Sequence, residues 1–183
     1  MKVKKNPYPA LFPCPVVLVT CKSNEGKSNI ITLAWAGVVC SDPPMIGISI
    51  RPHRFSYKII EDSGEFVVNI PTKDLLKETD ICGTISGRDF DKFSITKLTP
   101  IRAEKVGPPM IEECPVNIEC VVRKKIPLGV HHLFIGEVVQ VHIDENVLND
   151  EGEVDFKKIS PFVYNRREYW SLAAKIGDHG FTK

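Results

Sequence analysis

Arg51 and Arg54 flank Pro52-His53, and Ser56 follows two residues later. They stand where an apolar strand run, residues 45–50, gives way to a helical pattern. Guanidinium groups offer planar forks of donors, and the first amides of a helix have no intrahelical partner and carry the positive end of its dipole. Two arginines, a serine hydroxyl and those amides are the parts of a phosphate grip. Upstream, Asn29, Thr32, Ala34, Ala36 and Ser49 are small or polar residues in otherwise apolar strands, where a flat ring can approach the backbone closely. The two features together point to a bound mononucleotide. Arg51 and Arg54 also read as ordinary exposed strand-end charges; the adjoining helix start and the glycine-containing stretch over 82–93 favour the phosphate.

Other residues with chemical potential carry weaker signals. Gly83-x-x-x-Gly87-Arg88 is not a triphosphate loop, because the glycine spacing is one short and the lysine that should follow is missing. His131 and His132 are consecutive in a strand, so they face opposite ways and cannot share a metal. Trp35 reads by residue type as a packing aromatic more readily than as a stacking partner. The six cysteines, at 14, 21, 40, 82, 114 and 120, form no Cys-x-x-Cys pair and no zinc-type group with histidine. Their even number would allow three disulfides, but a chain of this size does not need them, and a reducing cytoplasm is the expected setting.

The elements that must position these residues are mostly strands. Residues 16–20 form a β-branched run closed by Ser23-Asn24-Glu25-Gly26, and a second strand starts near Ser28. Asp42-Pro43-Pro44 forces a sharp turn before the strand over 45–50. A helix is predicted over 56–62 with Ser56 as its N-cap and Ser63-Gly64 as its stop, then a strand over 66–70. Thr72 caps a second predicted helix through Ile81, and residues 82–93 read as an ordered loop. Runs 116–124 and 133–143 predict a central antiparallel pair turning at Ile126-Pro127-Leu128-Gly129. An acidic connector, residues 144–153, leads to an aromatic tail at about 160–183 that should dock on the body or on a second subunit.

The 183 residues suit one domain, read as 1–183, with a core that needs no metal. A formal charge of +1 from 24 basic and 23 acidic residues gives no field for nucleic acid or an anionic membrane. No run approaches the roughly 20 apolar residues of a membrane span, and the N-terminus lacks the pattern of a secretion signal. Many short strands with few helices make the class mainly β, an antiparallel barrel.

In four blocks the chain resembles the flavin reductase-like, FMN-binding split-barrel family, and its flavoredoxin-type members in particular. These are Asn29-Ile30-Ile31-Thr32-Leu33-Ala34-Trp35, Asp42-Pro43-Pro44 leading to Ile48-Ser49-Ile50-Arg51-Pro52, Ser63-Gly64-Glu65-Phe66-Val67-Val68-Asn69, and His131-His132-Leu133-Phe134-Ile135-Gly136-Glu137-Val138. The resemblance implies a six-stranded Greek-key split barrel, non-covalent FMN and a homodimer with cofactors near the subunit interface. It implies that Asn29, Thr32, Leu33, Ala34 and Trp35 line the ring and ribityl chain, and that Ser49, Arg51, Arg54 and Ser56 hold the phosphate. Cys82, Gly83, Ser86, Arg88 and Lys92 would close over the cofactor, with Lys92 reaching the phosphate. The family's Gly-Asp-His is here Gly129-Val130-His131, and the lost acid leaves the tautomer of His131 open; His131 is the one titratable group expected near the open face. The implied chemistry is hydride or electron transfer with NADH or NADPH as transient reductant and a small molecule or protein as acceptor. Two readings stand beside it: a non-catalytic Greek-key binding module, and the same barrel holding pyridoxal phosphate or haem.

Overall fold

β-Branched runs separated by turn residues give twelve strands and four short helices, and the computed structural model describes residues 1–183. In chain order these are β1 (Cys14–Pro15), β2 (Val17–Lys22), β3 (Ser28–Leu33), β4 (Ala36–Ser41), β5 (Pro44–Ile50), α1 (Phe55–Ser63), β6 (Glu65–Ile70), α2 (Leu76–Thr84) and α3 (Lys92–Thr96). There follow β7 (Pro100–Ile101), β8 (Met110–Ile111), β9 (Val116–Leu128), β10 (His131–Ile143), α4 (Phe156–Ile159), β11 (Phe162–Asn165) and β12 (Glu168–Ser171).

The main sheet runs β3-β2-β6-β9-β10-β5-β4, with every neighbour antiparallel. It has seven strands where the resemblance implies six, because residues 28–41 break into β3 and β4 at Ala34-Trp35. The ends of the sheet curl together there: the Ser49 N–H of β5 donates to the Trp35 carbonyl at 2.9 Å. Two register shifts in the β9–β10 pair add the twist that curling requires. The architecture is that of a split barrel, mainly β with few helices.

Alternation in β2 separates two cores. Val17, Val19 and Cys21 point into the barrel with Ile48, Ile50, Phe66 and Phe134, while Leu18 points outward to Ile30, Cys82, Ile111 and Cys114 under α2. Burial on both faces is why the strand reads as an unbroken apolar run. α1 plugs the barrel with Tyr57, Ile59 and Ile60. Gly136 is required by space, since a Cβ there would lie 2.5 Å from the Phe66 ring.

Several local expectations are corrected. Ser56 does not cap α1: Arg54 holds the N-cap position without a side-chain bond, and the Ser56 hydroxyl is buried against Asn29. The helix does stop at Gly64, which takes the left-handed conformation with φ 71°. Thr72 precedes a 3₁₀ turn, Lys73–Leu75, before α2 begins at Leu76, and its side chain caps nothing. Residues 82–93 are not loop throughout, because Cys82 and Gly83 lie in the last turn of α2 and Lys92 opens α3. The long hairpin turns later than expected. Residues 126–128 stay paired with 131–133, and Gly129, at φ 68°, supplies the tight turn. β6 accompanies β9 only as far as Val121, so Pro127 lies on a free edge, where a missing amide costs little.

The tail forms a second sheet, β1-β11-β12, in which Cys14 pairs with Tyr164 and Phe162 with Ser171. It is tied to the body by Lys73 N–H donating to the Ser160 carbonyl at 3.0 Å and by Tyr169 Oη–H donating to Asp80 at 2.9 Å. All six thiols are free, and burial pushes those of Cys21 and Cys120 up to about 12 and that of Cys82 to about 11, so they stay protonated. No helix is long and apolar enough to cross a membrane.

Candidate functional site

β3 carries the site's floor, and its own side chains hold the neighbouring elements in place. Asn29 Nδ2 donates to Ser56 Oγ at 2.7 Å, joining β3 to the start of α1. Thr32 Oγ1 donates to the Thr79 carbonyl at 2.5 Å, joining it to α2. Lys92 Nζ donates to the carbonyls of Ile30 at 2.8 Å and Cys82 at 2.6 Å, a cation set against the C-terminal turn of α2, where the helix dipole is negative. Burial, opposed by Cys82 and assisted by Arg54, lowers the pKa of Lys92. Gly87 lets the loop after α2 lie on this framework: a Cβ there would sit 2.1 Å from Asn29 Oδ1 and 2.8 Å from the Phe55 ring.

Two adjoining hollows result. The larger, about 560 Å³, is lined by Thr32, Leu33, Ala34, Trp35, Ser49, Arg51, Arg54, Gly83 and His131 among the residues singled out from sequence. The smaller, about 190 Å³, is lined by Asn29, Arg54, Ser56, Cys82, Gly83, Ser86, Arg88 and Lys92. Ile31, Arg54 and Gly83 belong to both. Fifteen of the sixteen residues named from the sequence therefore meet around two adjoining hollows, although several serve them indirectly; Ala36, in β4, lines neither. Ser56, Asn29 and two of the three Lys92 donors are engaged in holding the walls together.

The smaller hollow lies at the first turn of α1, whose leading amides, together with Arg54 and Arg88, make a cationic end. Arg51 does not line it. Arg51 Nε–H instead donates to His131 Nε2 at 3.3 Å, at the mouth of the larger hollow, and the Trp35 ring lies 4.4 Å from the imidazole. That hydrogen bond makes Nε2 an acceptor, which assigns the proton of neutral His131 to Nδ1. Burial, then the charges of Arg51 and His53, hold His131 below its ordinary pKa and keep it neutral. Trp35 is 43% exposed, a rim residue and not a core one.

The remaining wall comes from residues the sequence reading did not select: Asp80 and Thr84 on α2, and Tyr164, Arg167 and Tyr169 from the tail hairpin. Asp80 and Tyr169 are 89 residues apart, so no spacing rule could pair them. The aromatic density of the tail was the available signal, and it indicated docking without saying where. Burial and the Asp80 contact raise the pKa of the Tyr169 phenol, which stays a donor. None of Arg51, Arg54, Arg88 or Arg167 is in an ion pair. A broad hollow with small and apolar residues on its floor, adjoining a narrow cationic one at a helix start, suits a planar heterocycle that carries a phosphate.

Comparisons with known proteins agree with this geometry. The fold superposes on the flavoredoxin of Desulfovibrio vulgaris (Miyazaki F) with a TM-score of 0.93 at 33% identity, covering 99% of this chain and 98% of that one. It superposes on the flavoredoxin of Methanosarcina acetivorans with a TM-score of 0.92 at 30% identity, covering 100% and 97%. An uncharacterized protein of Archaeoglobus fulgidus is 33% identical over 147 residues, 80% of this chain and 82% of its own length. The family model described as flavin reductase like domain matches residues 10–173. With the split barrel, the flavoredoxin likeness and a match over nearly the whole chain in agreement, this protein belongs to the flavin reductase-like family.

Proposed function

We propose that the chain is a flavoprotein that binds FMN non-covalently and passes reducing equivalents from NADH or NADPH to an acceptor. The observation that carries this is the adjacency of the two hollows, which share Ile31, Arg54 and Gly83 in their linings and set a ring-sized space beside a phosphate-sized one at the start of α1. Arg54 and Arg88 would take the phosphate with the first amides of α1. Backbone groups around Thr32, Leu33 and Ala34 would face the ring. FMN when bound supplies the hydride and electron chemistry. The protein's part is to orient, to shield and to handle charge. His131, held neutral, keeps the mouth free of an additional cation, and its Nδ1–H remains available as a donor. Arg51 fixes the imidazole's orientation.

A homodimer fits the outer edge of β4, where Val38 is 80% and Val39 51% exposed beside the rim residue Trp35. A cytoplasmic setting fits six unpaired thiols. For the six-stranded Greek-key reading we take β2, β3, β5, β6, β9 and β10 as the barrel proper, with β4 as a seventh, edge strand.

The test is the absorption spectrum of the purified protein, with and without added FMN. A flavin spectrum that survives desalting is expected, and a colourless protein that takes up no FMN would refute the proposal. Arg54→Ala and Arg88→Ala should each weaken FMN binding about tenfold or more, the loss expected for a hydrogen bond to a charged group. Bleaching on mixing with NADH or NADPH marks a reductase; bleaching only by a reduced partner protein marks a flavoredoxin-like electron carrier. Spectra of a haem or a pyridoxal aldimine would indicate another cofactor in the same barrel, and single-strand retention by a colourless protein would indicate a binding module.

A further inference from the structure

The two hollows hold more positive charge than an FMN phosphate requires. Four guanidinium groups line them and none is in an ion pair. Arg54 and Arg88 at the smaller hollow are enough for a phosphate of about −2 charge. Arg51 and Arg167 line only the larger hollow, where the other titratable side chains are the shared Arg54, Asp80, the neutral His131 and the two tyrosines Tyr164 and Tyr169. Asp80, which accepts the Tyr169 hydroxyl, is the single carboxylate among these groups, so the lining stays net positive.

Arg167 reaches that position through an unfavourable backbone. Asn165 pairs with Glu168, so Arg166 and Arg167 form a two-residue turn, with φ of 48° and 78°. Hairpins of this kind use asparagine and glycine, because side chains with a Cβ are disfavoured at positive φ. Here two arginines occupy both positions. They diverge: Arg166 lies over the Tyr8 ring, 5.5 Å from its centroid, and Arg167 lines the larger hollow. An observed strained turn that puts a cation at a cavity is a reason to look for a ligand.

We infer that Arg51 and Arg167 form a second anion-recognition site, which takes the phosphate or carboxylate group of the redox co-substrate and not that of the flavin. The inference rests on the FMN reading above. It assigns the tail hairpin the role of selecting the co-substrate by charge, while Arg54 and Arg88 retain the cofactor. The anion belongs either to a pyridine dinucleotide donor or to an anionic acceptor, and one set of measurements separates these sources.

The experiment compares FMN-loaded wild type with Arg167→Gly and Arg167→Lys by stopped-flow spectroscopy. Reduction is followed with NADH and with NADPH. Reoxidation of dithionite-reduced protein is followed with ferric citrate, an anion, and with 1,4-benzoquinone, which is neutral. In Arg167→Gly the FMN dissociation constant should stay within about twofold, while the apparent dissociation constant of one anionic co-substrate rises about tenfold. A rise with NADH or NADPH identifies the donor, a rise with ferric citrate identifies the acceptor, and the quinone should be unaffected. Arg167→Lys should recover most of the loss. Glycine also relieves the positive φ, so the melting temperature of Arg167→Gly should increase by about 2 °C or more, which rules out misfolding as the cause. Unchanged constants for all three anionic probes, or an equal loss with the quinone, would overturn the inference and leave FMN binding intact. Failure to take up FMN would instead refute the preceding reading, and this one with it.

Discussion

Glu119 is a fully buried carboxylate with four donors around it. The amides of Glu104, Lys105 and Val106 donate at 2.9, 2.7 and 3.0 Å, and His142 Nε2 lies 2.6 Å away. Burial alone would raise its pKa, but the three amides and His142 outweigh it, and the net shift is downward from 4.5. A carboxylate whose folded pKa is depressed stabilises the fold above its unfolded value, and the contribution is lost as pH falls through the folded pKa. Glu119→Gln should therefore cost about 2–3 kcal/mol at neutral pH, measured by urea unfolding, and flatten the loss of stability below pH ~4.5. At this scale residue types were legible but their duties were not. Ser56 and Lys92 have the chemistry of phosphate ligands, yet the fold sets the Ser56 hydroxyl against Asn29 and the Lys92 ammonium on two carbonyls. Those partners are 27 and 62 residues away along one side and become neighbours only when β3 meets α1 and α3.

Among the elements, the start of α1 and the loop after α2 stand or move together, because Gly87 rests on Asn29 and Phe55. Gly87→Ala forces that contact apart. We expect a loss of about 1–3 kcal/mol in thermal or urea unfolding, as for other overpacked sites, with weaker FMN binding from a displaced α1 N-terminus. Strand alternation and turn residues predicted β2, β5, β6 and the β9–β10 hairpin within a few residues, because each signal is local. Neighbour order in the sheet is not local, nor is the break at Ala34-Trp35, which depends on Trp35 bonding across to Ser49. The end of α2 was misread because Cys82-Gly83-Thr84 lacks helical periodicity, and Lys92 and the packing of Cys82 against Ile30 hold it helical regardless.

For the molecule as a whole, a formal charge of +1 conceals an uneven distribution, with four arginines outside any ion pair around two adjoining hollows. The same unevenness holds for apolar surface, which β4 concentrates at the free edge of the sheet. If that edge is the subunit contact, Val38→Lys should shift the protein from dimer to monomer in analytical ultracentrifugation while the monomer keeps its far-UV circular dichroism. The second sheet has a consequence in time. It joins β1, the first strand of the fold, to β11 and β12, the last. A growing polypeptide on the ribosome can thus assemble its barrel early, yet the chamber beside it stays a wall short until Tyr169 has been translated and its hydroxyl has found Asp80.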